Sequence, residues 1–488
     1  MNSFTGVDFF VLKPALMLAL FGCAIFLFDF FLSRKWLVLV LIGGLVSAGI
    51  SLYQLQDQLA FEGLPGTTAF QGSLVIDGFA LFFNWIFLAA SFIVAVVSYK
   101  YLEIEDAHHG EYYGLILLAN CGMFFLASGT DLITLFIGLE LMALCFYILV
   151  GFLRSDKRSN EAAMKYLLLG AFSSGFLLYG FSLLYGIAGS TQLAAIADAI
   201  SVRSPWDPMV LLALTTTAAG LLFKISAVPF HMWTPDAYEG APTPVTAYLS
   251  VGSKAASFAF LLRMFHGPFA PFATAHEVWI PLLSAIAVLT MTVGNLAAIS
   301  QTNVKRLLAY SSISHAGYML LGLVADNETG IKGVAVYILV YTFMNLGAFM
   351  VLISLRRKGI LGEDIDDLSG LMRKSPGHAV LMLIFLMSLA GIPPTAGFLG
   401  KYYIFLALIE SGHNVLAVIA VLYVAVAVYY YFRIVRSMFV SEAAGEVPLT
   451  SSFGLRVALA VTGVMTVAIG VYPEPFLRLA QTSISLAP

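Results

Sequence analysis

Long apolar runs separated by short polar connections make up nearly the whole chain. A helix that crosses a membrane needs about 20 mostly apolar residues, and the runs in this sequence predict fourteen spans. We place them near residues 11–31, 36–53, 72–99, 112–128, 131–153, 161–188, 208–228, 243–264, 277–299, 304–324, 331–355, 378–411 (interrupted), 414–439 and 453–471. The pattern therefore predicts an all-α integral membrane protein with about 14 transmembrane helices.

The composition excludes a soluble domain. Of the 488 residues, 60% are hydrophobic and 11% are charged, whereas about 25% of the residues of a soluble domain are charged. No stretch is basic enough to indicate nucleic-acid binding. Cys23, Cys121 and Cys145 have no CxxC spacing, so we predict that they pack in the core and form neither disulfides nor an iron–sulfur site. The first apolar run has no basic segment before it and no small-residue cleavage site, which favours a span over a signal peptide.

The distribution of basic residues predicts the orientation. With the N-terminus outside, most Lys and Arg residues fall in connections on the inner side, as the positive-inside rule requires. We therefore predict that both termini lie on the outer side. The longest inner connection, about 356–377, is basic and then acidic, and we interpret it as a solvated loop, with contact to a neighbouring subunit as the alternative.

Two of the predicted spans are interrupted. The stretch from Lys224 to Lys254 contains four prolines, and a proline removes a backbone hydrogen bond and clashes with the preceding turn of a helix. Residues 389–405 contain Pro393 and Pro394, with Lys401 close behind. The two breaks lie five spans apart, and paired interrupted helices are typical of transporters built from inverted repeats.

Five ionisable residues lie at membrane depth. Glu140 is nine residues past Asp131, about 14 Å into the bilayer, and the four lysines are Lys165, Lys224, Lys254 and Lys401. Burial favours the neutral forms of Lys and Glu, while an opposite charge nearby favours both ions, so such a pair can release and take up a proton without a cofactor. The alternatives are snorkelling to the surface and static ion pairs between helices.

From these residues we derive a hypothesis for proton movement. Glu140 would modulate Lys165 or Lys224, Lys254 would pass protons across the centre, and Lys401 would connect to the outside. His231 and His315 titrate near neutrality and could bridge gaps, although packing roles are the alternative.

Other charged residues near the breaks have open roles. Lys305 and Arg306 either anchor the tenth span at the inner surface or admit protons, and Asp236 and Glu239 either cap helix ends or pair with a lysine. No pair of histidines has the spacing of a haem site, and no metal-ligand cluster occurs in the sequence.

Four sequence blocks resemble one family. KISAVPFHMWTPDAYEGAPTPVTAYLSVGSK (224–254), ISQTNVKRLLAYSSISHAGYML (299–320), SLAGIPPTAGFLGKYYIF (388–405) and GLELMALCFYILVGF (138–152) are similar to the antiporter-like membrane subunits of respiratory complex I, most of all to the subunit N branch. The similarity runs from about residue 75 to 440, and the N-terminal spans resemble the bacterial long form.

The resemblance implies a fold and a division of the chain. It implies fourteen helices, with inverted five-helix repeats and two discontinuous helices. The chain would then consist of an N-terminal segment, two repeats of spans four to eight and nine to thirteen, and a C-terminal span, at residues 1–110, 111–265, 277–440 and 441–488.

The resemblance also implies a function. The chain would be a proton-translocating subunit of a NADH:quinone oxidoreductase in the bacterial inner membrane, among other membrane subunits of the complex. The buried glutamate and lysines of the family match Glu140, Lys165, Lys224, Lys254 and Lys401. The chain itself would hold no cofactor, and NADH, FMN, iron–sulfur clusters and quinone would be bound by partner subunits.

Three alternatives stay open at this point. A cation/proton antiporter or membrane-hydrogenase subunit would share the charged residues but depart from the 224–254 block. A redox enzyme that itself binds quinone or haem is disfavoured by the missing ligand pairs and cysteines. A scaffold with static ion pairs would lose stability rather than turnover when Lys254 is replaced.

Overall fold

The computed structural model describes residues 5–204, 206–266, 269, 276–357, 362–442, 449 and 452–482. The first half contains α1 Gly6–Phe28, α2 Arg34–Glu62, α3 Gly78–Ile104, α4 Gly110–Ser128, α5 Leu132–Val150, α6 Lys157–Ala188, α7 Leu193–Ser201, α8 Pro208–Lys224, α9 Trp233–Gly240, α10 Thr243–Tyr248 and α11 Lys254–His266. The second half contains α12 His276–Ile299, α13 Val304–Val324, α14 Glu328–Leu355, α15 Leu371–Lys374, α16 Pro376–Ala390, α17 Ala396–Glu410, α18 Asn414–Phe439, α19 Phe453–Val471 and α20 Glu474–Thr482.

The helices coincide with the predicted spans. Within the described ranges, 12 helices are long and apolar enough to cross a membrane, by length and composition. The two other predicted spans are the interrupted ones, near 208–228 and 378–411, where the structure has shorter apolar helices (α8, and α16 followed by α17). The prediction of an all-α integral membrane protein is confirmed, while the exact number of crossings stays a prediction.

One short hairpin was not predicted. β1 (Gly66–Ala69) pairs antiparallel with β2 (Leu74–Asp77), in a register that places Gly66 opposite Asp77. The third predicted span therefore begins as a strand, and its helix starts only at Gly78. Asp77 sets this start, because its side chain accepts a hydrogen bond from Ala80 N and so caps the first turn of α3.

The core lies around α10, α11, α13 and α14. Nearly every side chain of these helices is buried. By contrast α1, α2, α6, α12, α18 and α19 expose apolar side chains along one face, as a surface in contact with lipid or with another membrane subunit does. Cys121 and Cys145 are buried as predicted, but the prediction was wrong for Cys23, which is exposed on α1.

The same backbone bridge occurs at the start of α5 and at the start of α13. The four hydrogen bonds run from Leu132 N to Thr191 O and from Leu193 N to Thr130 O in the first bridge, and from Val304 N to Glu363 O and from Ile365 N to Thr302 O in the second. Every residue of the second bridge follows its counterpart at one constant offset along the chain. The division into two repeats stays a prediction, which this correspondence supports.

A close helix contact is repeated at the same offset. A Cβ on Gly122 of α4 would lie 2.7 Å from Met142 N of α5, and a Cβ on Gly294 of α12 would lie 2.6 Å from Ser314 N of α13. Side chains other than hydrogen do not fit at such distances, so both helix pairs pack backbone against backbone. We call these two contacts the glycine seams.

A buried ion pair fixes the end of α11 to the start of α3. Arg263 donates two hydrogen bonds to Asp77, both of 2.8 Å, and a third of 3.0 Å to Ala127 O at the end of α4. Only 3% of the Arg263 side chain is exposed. Removing one partner of such a pair leaves an uncompensated buried charge, which is strongly destabilising.

We therefore expect Arg263→Met to lower the free energy of unfolding by about 3–5 kcal/mol. The measurement is unfolding of the purified protein in mixed micelles, followed by circular dichroism. Arg203→Met is the matched control, because Arg203 pairs with Asp207 at the surface and should contribute little. Equal losses in the two variants would contradict the assignment.

Candidate functional site

The two predicted helix breaks are present, and each lies next to a buried lysine. Lys224 is the last residue of α8, and the chain turns before α9 and again at Pro242 before α10 begins. In the second break, α16 ends at Ala390 and Gly391 follows with φ 85°, in the left-handed region that favours glycine. Lys401 lies in the second turn of α17.

The break supplies the hydrogen-bond acceptors for Lys401. Its Nζ donates to Leu389 O (3.1 Å) and to Ala390 O (2.8 Å), carbonyls left free where α16 ends. The ammonium thus lies at the negative end of a helix dipole. It also lies 4.9 Å from the ring centroid of Tyr318. This explains how a side chain that is 98% buried can hold a cation without an acid beside it.

Lys254 follows an irregular turn. Residues Leu249–Ser253 form a π turn between α10 and α11, and Lys254 is the first residue after it. Its Nζ donates to Ser312 O of α13 (2.7 Å) and also hydrogen-bonds to the Ser312 hydroxyl. A π turn inside a membrane helix is typical of functional sites, because it redirects the side chain that follows.

His315 lies between the two deep lysines Lys254 and Lys401. Both lysines are within electrostatic range of its ring. Nδ1 lies 2.6 Å from the hydroxyl of Tyr337 and Nε2 lies 3.3 Å from that of Tyr431. Each ring nitrogen thus has a hydroxyl partner that can either donate or accept, so the ring can carry its proton on either nitrogen.

Glu140 lies beside Lys224 rather than beside Lys165. Its carboxylate accepts a hydrogen bond from Ser174 of α6 and is the acidic group within electrostatic range of Lys224. Lys224 Nζ donates to the hydroxyl of Tyr147, 3.3 Å away on the same helix as Glu140. Lys165 precedes Ser174 by nine residues of α6, about 13 Å along the helix axis. Of the two partners suggested for Glu140, the geometry favours Lys224.

Lys165 belongs to a charged pocket at the surface. Its side chain is 46% exposed and pairs with Glu161 (2.7 Å) and Asp236 (2.9 Å). Arg306 closes the pocket by pairing with Asp236 and Glu239, both at 2.8 Å. The pocket has a volume of about 190 Å³. Asp236 and Glu239 therefore pair with basic side chains, one of the two alternatives considered from the sequence.

The pairing shifts the titration of Asp236, which lies in α9 within the first break. Burial raises the pKa of this carboxyl, but hydrogen bonds from Lys165 and Arg306 lower it by more, and the result lies below the ordinary value of 3.8. The carboxylate is thus the form present at neutral pH.

His231 also lies in the first break but away from this pocket. Its Nδ1 is buried, and no described residue forms a hydrogen bond with it. Lys224, Lys254, His315 and Lys401 are buried, and Glu140 is half-buried. Glu140 acts electrostatically on Lys224, and Lys254 and Lys401 act on His315. We call these five residues the row, and Lys165 and His231 are not part of it.

Three of the buried lysines, Lys224, Lys254 and Lys401, form no ion pair with any acid that the structure describes. The exposed fractions of Lys224, Lys254 and Lys401 are 3%, 3% and 2%. Among the residues that the structure describes, no carboxylate forms an ion pair with any of the three. Their close partners are hydroxyls and backbone carbonyls, which can accept a hydrogen bond from the ammonium but do not neutralise it.

Several residues of the site were missed in the sequence analysis. Tyr147 and Ser312 hold Lys224 and Lys254, and Tyr337 and Tyr431 enclose His315. A signal was present for two of them, because Tyr147 follows Glu140 by seven residues and Ser312 precedes His315 by three, which places each pair on one helix face. The interpretation of 356–377 as a solvated loop was wrong at Glu363, which is buried; residues 358–361 lie outside the described part.

Comparisons with known proteins define the class. The family model described as "NADH:quinone oxidoreductase/Mrp antiporter, TM" matches residues 129–427. The fold is similar to a chain of "Respiratory complex I from Thermus thermophilus with bound Aureothin", with 33% identity and a TM-score of 0.81, over 96% of this chain and 99% of that one. The fold is thus that of an antiporter-like membrane subunit.

Two relatives narrow the class to one family. The chain is 69% identical over 487 residues to "NADH-quinone oxidoreductase subunit N 2" of Solibacter usitatus (strain Ellin6076), covering 99% of this chain and 98% of the relative. It is 52% identical over 499 residues to "NADH-quinone oxidoreductase subunit N 1" of Koribacter versatilis (strain Ellin345), covering 100% and 97%. The chain therefore belongs to the family of NADH-quinone oxidoreductase subunit N.

The low pKa of Asp236 gives a testable pH dependence. A carboxyl with a lowered pKa stabilises the folded state above about 3.8, and this contribution is lost as the pH falls further. We expect the thermal stability of the purified protein to fall more steeply between about pH 5 and about pH 3 than that of Asp236→Asn. Asp198→Asn, at an exposed position of α7, is the control. An unchanged acid slope in Asp236→Asn would show that the pairing contributes nothing.

Proposed function

We propose that this chain translocates protons across the bacterial inner membrane as a subunit of NADH:quinone oxidoreductase. Electron transfer from NADH to quinone would take place in partner subunits, which would hold FMN and the iron–sulfur clusters, and would drive the charge movements in this chain. The proposal includes both termini on the outer side. The family membership supports the assembly with other subunits of the complex.

One observation carries the proposal: three ammonium groups are buried, and among the described residues their hydrogen-bond partners are hydroxyls and backbone carbonyls, while Glu140 acts on Lys224 without forming an ion pair with it. A buried charge without a counter-ion is close in free energy to its neutral form, because burial penalises the ion. Small changes in the surroundings then suffice to move the proton on or off. Static ion pairs that only join helices would instead place a carboxylate against each lysine.

In this proposal, the charge of Glu140 controls the protonation of Lys224, and protons then move along the row in one direction. When Glu140 is charged, it stabilises the protonated form of Lys224, and when its charge is neutralised or moved away, Lys224 gives up its proton. Lys254 receives protons at the centre, His315 passes them on, and Lys401 delivers them to the outer side. Lys165 in the charged pocket and His231 in the first break would connect the row to water.

The scaffold alternative makes a different prediction for Lys254. If its ammonium only joined α11 to α13, replacement by alanine would lower stability and leave turnover of each assembled complex unchanged. Our proposal instead expects Lys254→Ala to lower turnover more than stability. The bonds of Lys254 to Ser312 are only two among many contacts of a fully buried helix pair, so their loss should cost little stability.

The test is the pumping activity of the assembled complex with single substitutions. We expect Glu140→Gln, Lys224→Ala and Lys401→Ala each to lower NADH-driven proton pumping in inverted membrane vesicles, by roughly tenfold or more, because each removes a proton-carrying group. Lys100→Ala is the control, since Lys100 is 42% exposed and pairs only with Glu103 three residues on. Normal assembly with normal pumping in all three variants would disprove the proposal.

A further inference from the structure

A second buried pair lies outside the row described so far. Lys305, the second residue of α13, is 1% exposed, and its Nζ lies 3.1 Å from Glu363 Oε1 in the connection between α14 and α15. The same Nζ donates to Ala241 O (2.7 Å), next to Pro242 in the first break. The Lys305–Glu363 pair therefore joins the first helix break to a connection that the positive-inside rule places on the inner side.

One carboxylate oxygen of Glu363 has no hydrogen-bond donor among the described residues. Glu363 Oε2 is buried, and no described residue donates a hydrogen bond to it. A buried carboxylate oxygen left without a donor costs free energy. The same oxygen can accept a proton without breaking the bond from Lys305 to Oε1.

The first backbone bridge shows whether such a bridge needs an ion pair to form. At the first bridge, the positions equivalent to Lys305 and Glu363 are Ile133 and Thr191. Ile133 is 57% exposed, and Thr191 donates to Asp131. The same backbone bridge forms there without an ion pair, so the bridge does not require one. A buried ion pair pays a desolvation cost that its own attraction often fails to recover, so a stabilising role does not explain why the pair is present.

The position of Lys305 on α13 leads to the row. Lys305, Ser312 and His315 have the spacing of one helix face, and Ser312 is about 10 Å further along the helix. Ser312 holds Lys254 through its carbonyl and hydroxyl, and the hydroxyl of Tyr238 lies 3.3 Å from Ser312 Oγ. A proton leaving Lys305 along this face would reach the partner of Lys254 first.

The charges around Lys305 act in opposite directions, since Glu363 favours its ammonium form and two arginines disfavour it. Arg356, at the end of α14, and Arg158, at the start of α6, both act on Lys305, and Arg356 is itself bound by Glu105 at the end of α3 with one hydrogen bond of 2.8 Å. Tyr101 of α3 and Asp364, the residue after Glu363, are further titratable groups that interact with Glu363. Two guanidinium groups near an ammonium disfavour its charge, while the adjacent carboxylate restores it.

We propose that Lys305 and Glu363 form the inner proton-loading site of this subunit. The inference rests on the proposed function and adds the point at which protons enter. Lys305 passes its proton toward Ser312 and Lys254 and becomes a neutral amine. Glu363 takes a proton from the inner aqueous phase on its free oxygen and transfers it to Lys305, so one proton enters for each that moves inward and both groups return to their charged forms.

Glu363→Gln tests the role of the carboxylate in the intact complex. We expect NADH-driven pumping to fall by roughly tenfold at about pH 8 and by less at about pH 6. Without the carboxylate, Lys305 must take protons directly from the inner aqueous phase, where the proton concentration is lower at the higher pH. Asp366→Asn, an exposed acid of the same connection, should keep the wild-type pH profile. A wild-type profile in Glu363→Gln would overturn the proposal.

The double variant Lys305→Ile with Glu363→Thr separates loading from structure, because it copies the residues of the first bridge. We expect it to assemble and to pump poorly at every pH. Assembly with normal pumping would overturn the loading site, and failure of both this variant and Glu363→Gln to assemble would show that the pair is structural. If Lys224→Ala and Lys401→Ala abolish pumping while the Glu363 variants pump normally, the loading site is disproved and the proposed function stands. If all four variants pump normally, the proposed function itself is disproved.

Discussion

The structure depends on how a cation is held inside a membrane protein by neutral groups rather than by an ion pair. In the hydrocarbon region every polar group must find its partner within the protein. In a regular helix most carbonyls already accept a hydrogen bond from an amide four residues on. A helix that ends leaves carbonyls without such a bond, and two of these at the end of α16 bind Lys401, whereas Lys254 shares the carbonyl of Ser312 within α13. The second break and the burial of Lys401 are therefore one feature rather than two.

The repeated bridges and glycine seams show how similar scaffolds carry different chemistry. At the offset that relates the two bridges, Ser312 of α13 stands where α5 has Glu140. The carboxylate in the first case adds a charge that acts on Lys224, while the hydroxyl in the second only accepts from Lys254. In the proposed function, the charge of Glu140 can therefore switch the first half of the row, while the second half has a hydroxyl at the equivalent position.

The sequence predicted what depends on local pattern. Hydropathy predicted the helices, prolines predicted the breaks at Pro242 and Pro394, and the rarity of charge at depth singled out Glu140 and the lysines. It did not predict which groups meet, because partners such as Lys165 and Asp236 are far apart in the chain and are brought together by packing. Cys23 shows the same limit, since hydropathy does not distinguish the faces of an apolar helix.

The glycine seams limit the kinds of movement that can accompany transport. Where two helix backbones touch without side chains between them, neither can slide or tilt without collision, since interiors packed this closely change between discrete arrangements rather than deform smoothly. The α4–α5 and α12–α13 pairs therefore act as stiff walls. In the proposed proton translocation, motion is therefore left to the unwound segments and to rotations of individual side chains, which would rearrange the interior while these helix pairs stay in place.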